Sequence, residues 1–300
     1  MLAFNLSTRC LAIAFGSAAL CLSGGLVASA TEFDSATIAI DKTLAAKVPA
    51  AIASRGVLTV GSDTTYPPAE FLGGADGMTP MGIDVDLAEA IARTLGLRLS
   101  FVTAQFDSIL PAIGPKYDLG ISAFTITKAR YGAVDFVSYF NAGKQWAVQA
   151  GNPSHFDPAN PCGAKVGVQV ASTSEKLVIG LSDKCIAAGK PAISLVALSK
   201  QTDIITRLVN GAVDATMNGS TNIGYAVKQT EGKLQTLGGI SEPSPNGIAI
   251  AKGNTEWATL IADTLNKLIA DGTYARVLSA WGSDSAAVAK AEVNPVVPEE

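Results

Sequence analysis

Between Ser122 and Arg130 the chain reads Ser-Ala-Phe-Thr-Ile-Thr-Lys-Ala-Arg, small hydroxyls followed by a guanidinium. A guanidinium is a planar fork of donors that matches a carboxylate at two points at once, and neighbouring hydroxyls and amides add further donors. The stretch follows an apolar run, Tyr117-Asp118-Leu119-Gly120-Ile121, and precedes a helix-like run. In open α/β sheets ligands bind outside the carboxyl ends of the strands. A small bound carboxylate is one reading of Arg130. A surface salt bridge is the other, and this stretch alone does not choose between them.

A second anion-suited feature is Ser172-Thr173-Ser174-Glu175. Its S-x-x-E spacing before an apolar run is a capping box, which starts a helix and leaves amides facing outward. Ser172 and Thr173 are therefore candidate contacts for the same carboxylate, although an ordinary cap has the same sequence.

The elements that must carry these residues alternate. Val57 to Gly61 reads as a strand, Asp63 to Pro68 as a turn, and Gly73 to Gly77 as a hairpin tip. Ile83 to Leu95 has helical spacing and stops at Gly96; Leu97 to Thr103 is a strand, Phe106 to Ile113 a helix and Asp118 to Ile121 a strand. This βαβαβ order predicts a parallel sheet. Extended segments follow at Val134 to Tyr139 and Gln145 to Gln149, and a second α/β unit runs from Lys165 to Gln229. A strand at Ile248 to Ile250 could rejoin the first unit, so the chain would cross between two lobes twice, as a hinge does. The expected organisation is a leader at 1–30, lobe 1 at 31–143 plus 246–284, lobe 2 at 144–245, and a flexible tail at 285–300.

Composition limits the function classes. With 48% hydrophobic and 16% charged residues the chain is globular, and its net charge of −4 without a basic cluster argues against nucleic acid. Arg9, the apolar run Leu11 to Leu22 and Ala28-Ser29-Ala30 form a secretory signal cleaved near Ala30. The product is expected to be soluble and periplasmic. Cys10 and Cys21 leave with the leader, so Cys162 and Cys185 remain in an oxidising compartment and are expected to form a disulfide. The single His, His155, and two Cys do not make a metal site. No cofactor is expected, and no Ser-His-Asp order points to an enzyme.

Four segments occur in order: Gly61 to Pro68 with Gly82 to Ala88, Ser122 to Arg130, Gly167 to Thr173, and Asp271 to Tyr274 with Ala280-Trp281-Gly282. Together they resemble the motifs of periplasmic solute-binding proteins of the polar amino-acid branch (family 3), which serve ABC importers. The resemblance covers nearly all of residues 33–282. It implies an α/β fold of two lobes, each a mixed, mostly parallel sheet flanked by helices and joined by a two-crossing hinge. It also implies a small carboxylate ligand, an amino acid or derivative, handed to a membrane permease by a monomer.

By the same resemblance Arg130 binds the ligand carboxylate, Ser122 and Thr125 lie near it, and Ala123 offers its amide. Tyr66 and Phe106 form aromatic plates, and Asp63 touches a distal polar group. Family members that bind α-amino acids place an Asp where Gly219 stands here, leaving Asn218 and Ser220 as neutral oxygens. A buried ammonium without a counter-charge is costly, so an N-substituted amino acid, an opine-like compound or another carboxylate fits the chain better. Two alternatives share the fold: a periplasmic dehydratase acting on cyclic carboxylates, with Glu175 the acid nearest the cleft, and a ligand sensor for a receptor.

Overall fold

The computed structural model describes residues 33–241 and 243–297. The expected leader, with Cys10, Cys21 and the cleavage expected near Ala30, lies outside them. No helix among the described residues is long and apolar enough to cross a membrane.

Lobe 1 opens with α1 (Lys42–Ala45) and α2 (Ala50–Arg55), then β1 (Val57–Ser62). Leu44, Val48 and Ile52, spaced by four, are all buried, and Pro49 at the N-cap of α2 separates the two helices. A small antiparallel sheet follows, β2 (Thr65–Tyr66), β3 (Glu70–Gly73) and β4 (Thr79–Met81). Next come α3 (Ile83–Thr94), β5 (Arg98–Thr103), α4 (Phe106–Ile109), β6 (Leu119–Gly120), α5 (Lys128–Tyr131) and β7 (Val134–Ala142). The expected helix Phe106 to Ile113 is shorter, because Pro111 lies in a 3-10 turn at Leu110–Ala112.

Lobe 2 holds β8 (Lys144–Gln149), β9 (Lys165–Gln169), α6 (Thr173–Ala187), β10 (Ser194–Leu198), α7 (Gln201–Val209), β11 (Ala215–Gly219), α8 (Ser220–Gln229) and β12 (Leu234–Leu237). The chain then returns to the first sheet as β13 (Ser244–Ala251) and ends with α9 (Thr255–Ala270) and α10 (Thr273–Ala280).

The strand order is β5-β1-β6-β13-β7 in one sheet and β10-β9-β11-β8-β12 in the other. In each sheet the first three strands are parallel, the fourth runs antiparallel to them, and the fifth antiparallel to the fourth. The chain passes from the first sheet to the second at Gly143, and returns between Leu237 and Ser244. Two lobes joined by two crossings are the result.

Helices α3, α9 and α10 bury Leu87, Ile91, Trp257, Leu265 and Tyr274 with Leu58 and Val60 of β1. At about 25 cal/mol per Å² of apolar area removed from water, side chains of this size hold the frame on which the cleft loops sit. Lobe 2 has its own core around Trp146, Val166, Val178 and Met217. The Cys162–Cys185 disulfide ties the end of α6 to the loop before β9, with Cα atoms 5.5 Å apart.

One expectation is corrected. Residues 285–297, part of the flexible tail expected at 285–300, are docked on lobe 1. Val293 bridges Val137, the Asn294 side chain accepts from Phe136 N, and Tyr131 donates its hydroxyl proton to Pro295 O at 2.6 Å. The physical reason is the edge: β7 ends its sheet, and an unpaired strand edge needs a cover.

Candidate functional site

The carboxyl ends of β1 and β6 in lobe 1 face those of β9 and β11 in lobe 2. Hydrogen bonds cross the gap. Tyr66 donates its hydroxyl proton to Asn218 Oδ1 at 2.7 Å and accepts from Gly219 N at 3.3 Å. Gln169 Nε2 donates to Asp63 Oδ2, Asn222 Nδ2 to Pro67 O at 2.6 Å, and Gln201 N to Thr65 Oγ1 at 3.2 Å. The lobes are shut on one another.

Arg130 lies in this seam. Its Nη1 donates to Thr125 O at 2.8 Å within lobe 1, and its Nη2 to Ala171 O at 3.2 Å across the gap. Thr127 caps the short helix that carries it, accepting from Arg130 N. The guanidinium sits 5.6 Å from the ring centres of both Phe106 and Phe124, which stack on each other at 4.9 Å. Cation and ring faces attract each other, which fixes the fork in place. A cavity of about 290 Å³ opens beside it, lined by Thr127, Arg130, Ala171, Ser172, Thr173 and Lys176 among others.

The capping box forms as its spacing demands. Ser172 Oγ accepts from Glu175 N at 3.0 Å, and Glu175 Oε2 accepts from Ala171 N at 2.7 Å. The start of α6 therefore points at the cavity next to Arg130. Thr173 Oγ1 reaches Thr125 Oγ1 at 3.4 Å across the lobes.

Among the residues expected at the site, the structure brings Asp63, Tyr66, Phe106, Thr125, Arg130, Ser172, Thr173, Asn218 and Gly219 to the seam. Ser122 and Ala123 are placed differently. The Ser122 hydroxyl is buried, donating to Glu70 Oε1 at 2.7 Å and accepting from Asp63 N. Ala123, at φ +44°, gives its amide proton to Asp84 Oδ2 at 2.9 Å rather than to the cleft. Both satisfy a buried acid pair behind the site. Asp63 has both carboxylate oxygens engaged, by Thr65 and by Gln169. Its burial pushes its pKa up, and those two hydrogen bonds oppose the shift.

That acid pair was not singled out from sequence. Burial and the neighbouring Asp84 push the Glu70 carboxyl well above the usual range. Burial also raises Asp84, which accepts from Tyr139 Oη at 2.6 Å. Among the described residues Glu70 Oε2 has no other donor, and a proton shared with Asp84 satisfies both acids. A Glu two residues after Pro68, facing the first acid of Gly82-Ile83-Asp84, was the available signal.

Gly219 is bare for a steric reason. A Cβ there would lie 2.7 Å from the Tyr66 hydroxyl, so no side chain fits while the Tyr66–Asn218 contact holds.

Two α/β lobes facing each other by their strand ends, shut over a guanidinium, define a ligand-binding protein of the two-lobe class. The chain belongs to the bacterial extracellular solute-binding proteins, family 3, whose profile matches residues 58–284. Among known relatives, the arginine-binding protein ArgT of Corynebacterium glutamicum is 33% identical over 83% of this chain and 82% of its own. The L-cystine-binding protein TcyJ of Escherichia coli is 27% identical, covering 78% and 85%. An ancestral arginine-binding protein solved with arginine superposes with a TM-score of 0.68 at 35% identity, covering 76% of this chain and 98% of its own. An ancestral amino acid-binding protein described as a precursor of cyclohexadienyl dehydratase gives 0.69 at 29% identity, covering 77% and 97%.

Proposed function

We propose that this protein binds an amino acid or amino-acid derivative outside the cytoplasm, through its carboxylate, and delivers it to an ABC permease. The observation that carries the reading is Arg130: one guanidinium arm on lobe 1, the other on lobe 2, beside the open start of α6. A carboxylate arriving there would replace backbone carbonyls as the acceptor, with stronger charge-assisted bonds. It would also bridge the lobes, so binding and closure would favour each other. Tyr66 and Phe106 would flank the carbon chain, with Thr125, Ser172 and Thr173 beside the carboxylate. The relatives that bind arginine, cystine and histidine support the ligand class. Export by the leader, monomeric action and hand-over to a permease belong to the same proposal.

Binding is preferred over catalysis for a specific reason. Glu175, the acid nearest the cleft on lobe 2, accepts from Ala171 N in the capping box and is poorly placed to move protons on a ligand.

The test is a thermal-shift screen of amino acids, opines and keto acids, because a ligand that binds the folded form raises its melting temperature. The hits then go to calorimetry against Arg130→Ala. Loss of at least about a hundredfold in affinity is expected when a bidentate charged contact is removed. Unchanged affinity in a folded variant would refute the assignment.

A further inference from the structure

Lys144 is the first residue of β8, directly after the Gly143 crossing, and it stands opposite Gly219 in the antiparallel ladder. Directly opposed residues of such a pair project from the same face. At Gly219 that face meets the Tyr66 hydroxyl of lobe 1. The lysine stem therefore starts on the cleft side, next to Gly219 and the Tyr66 hydroxyl that packs on it.

Its ammonium is a second cation in the seam. Burial pushes its pKa down to about 8, and the positive charge of Arg130 adds to the effect. Among the described residues no carboxylate forms an ion pair with it. The acids of the cleft are turned to other partners. Asp63 is held by Thr65 and Gln169, with Lys200 near it. Glu70 and Asp84 share their interaction behind Ser122 and Ala123.

Asn218, one residue before Gly219, carries a further buried donor. Asn218 is 3% exposed, and its Oδ1 accepts from both Tyr66 Oη and Gly219 N, which fixes the orientation of the amide. Its Nδ2 is then left buried without an acceptor. A partly buried ammonium that no carboxylate pairs with is stabilised by an anionic group placed beside it.

The geometry points to a ligand with two acidic ends, one carboxylate on Arg130 and the second on Lys144. This rests on the carboxylate reading above and narrows it to dicarboxylic amino acids or N-(carboxyalkyl) amino acids. In the latter the nitrogen carries its own second carboxylate, so no acid of the protein is required at position 219.

Matched pairs of ligands test it: L-glutamate against L-glutamine, and N-(1-carboxyethyl)-L-arginine against L-arginine, by thermal shift and calorimetry. The diacid of at least one pair is expected to bind about tenfold or more tightly than its partner. Lys144→Met should erase that margin while leaving the monoacid within about threefold. Arg130→Met should weaken both. A second measurement uses the wild-type protein alone. At pH 8.5, Lys144 is mostly neutral in the free form, so a diacid should recharge it. Calorimetry in two buffers of different ionisation enthalpy should then report net proton uptake with the diacid and none with the monoacid. The facing groups on neighbouring elements are Arg130, Tyr66 and Asp63. The first two keep their protons at that pH, and Asp63 is held by Thr65 and Gln169. Monoacids binding as tightly as their diacid partners, a retained margin in folded Lys144→Met, or no proton uptake would overturn the second contact. Monoacid binding untouched by Arg130→Met would instead sink the carboxylate reading itself, as would a lack of binding by acids of either kind.

Discussion

Gly219→Ala isolates the contact that closes the cleft. The added methyl would lie 2.7 Å from the Tyr66 hydroxyl oxygen, where an ordinary contact needs about 3.4 Å, so the phenol must retreat by about 0.7 Å. That oxygen is pinned from two sides, by Asn218 Oδ1 at 2.7 Å and Gly219 N at 3.3 Å. Overpacking at a rigid ring costs about 1–3 kcal/mol, and weakening the two hydrogen bonds adds about 1 kcal/mol. The sum, about 2–4 kcal/mol, corresponds to a thirtyfold or greater loss of ligand affinity. Tyr66 belongs to lobe 1 and Gly219 to lobe 2, so the clash exists only when the lobes meet. The open form should not feel it. Backbone angles at 219 (φ −56°, ψ 136°) suit alanine. The poorer N-cap and the stiffer unfolded chain each change stability by under about 1 kcal/mol, in opposite directions. Calorimetry should therefore report the weakened binding, while the ligand-free melting temperature stays within about two degrees of wild type. Unchanged affinity would refute the steric argument. A ligand-free melting temperature lowered by the whole amount would show that Tyr66 and Gly219 touch without any closure.

Other expectations follow from the same geometry. Glu70 holds a proton in the folded protein that the unfolded chain releases above about pH 4.5, so this group destabilises the fold as pH rises. Glu70→Gln should therefore melt progressively higher than wild type as pH moves from 4 to 8; a difference independent of pH would count against the shared proton. Replacing Cys162 and Cys185 by Ser should lower stability by about 3 kcal/mol on the chain-entropy model, roughly 6–12 °C. Ligand affinity should stay the same, because Cys185 lies at the far end of α6 from the cleft, and a large affinity change in the folded variant would show coupling that the structure does not explain.

The fold was legible because its periodicities are local. The runs at Val57, Ile83 and Leu97, and the later alternation from Lys165, predict strands and helices in the observed order. Arg130 and the Ser172–Glu175 box were legible too, since a short motif carries their chemistry. What escaped needs register or burial. Lys144 gains its place only from pairing with Gly219, two strands apart in sequence. Glu70, Asp84 and Tyr139 come from three elements and meet only once the lobe is packed. Ser122 and Ala123 looked like cleft residues because hydroxyls and amides at strand ends often are; the buried acids behind them claim both groups. The tail was misread because nothing in Asn294 or Pro295 says that a sheet edge waits for them.

The central claim is that the Arg130 guanidinium grips the acid of a small molecule between the lobes. A crystal structure with the best ligand from the screen tests it most directly. A ligand carboxylate about 2.8 Å from both terminal nitrogens of Arg130, in place of the Thr125 and Ala171 carbonyls, is the expected result. A ligand seated elsewhere, with Arg130 still bonded to those two carbonyls, would contradict it.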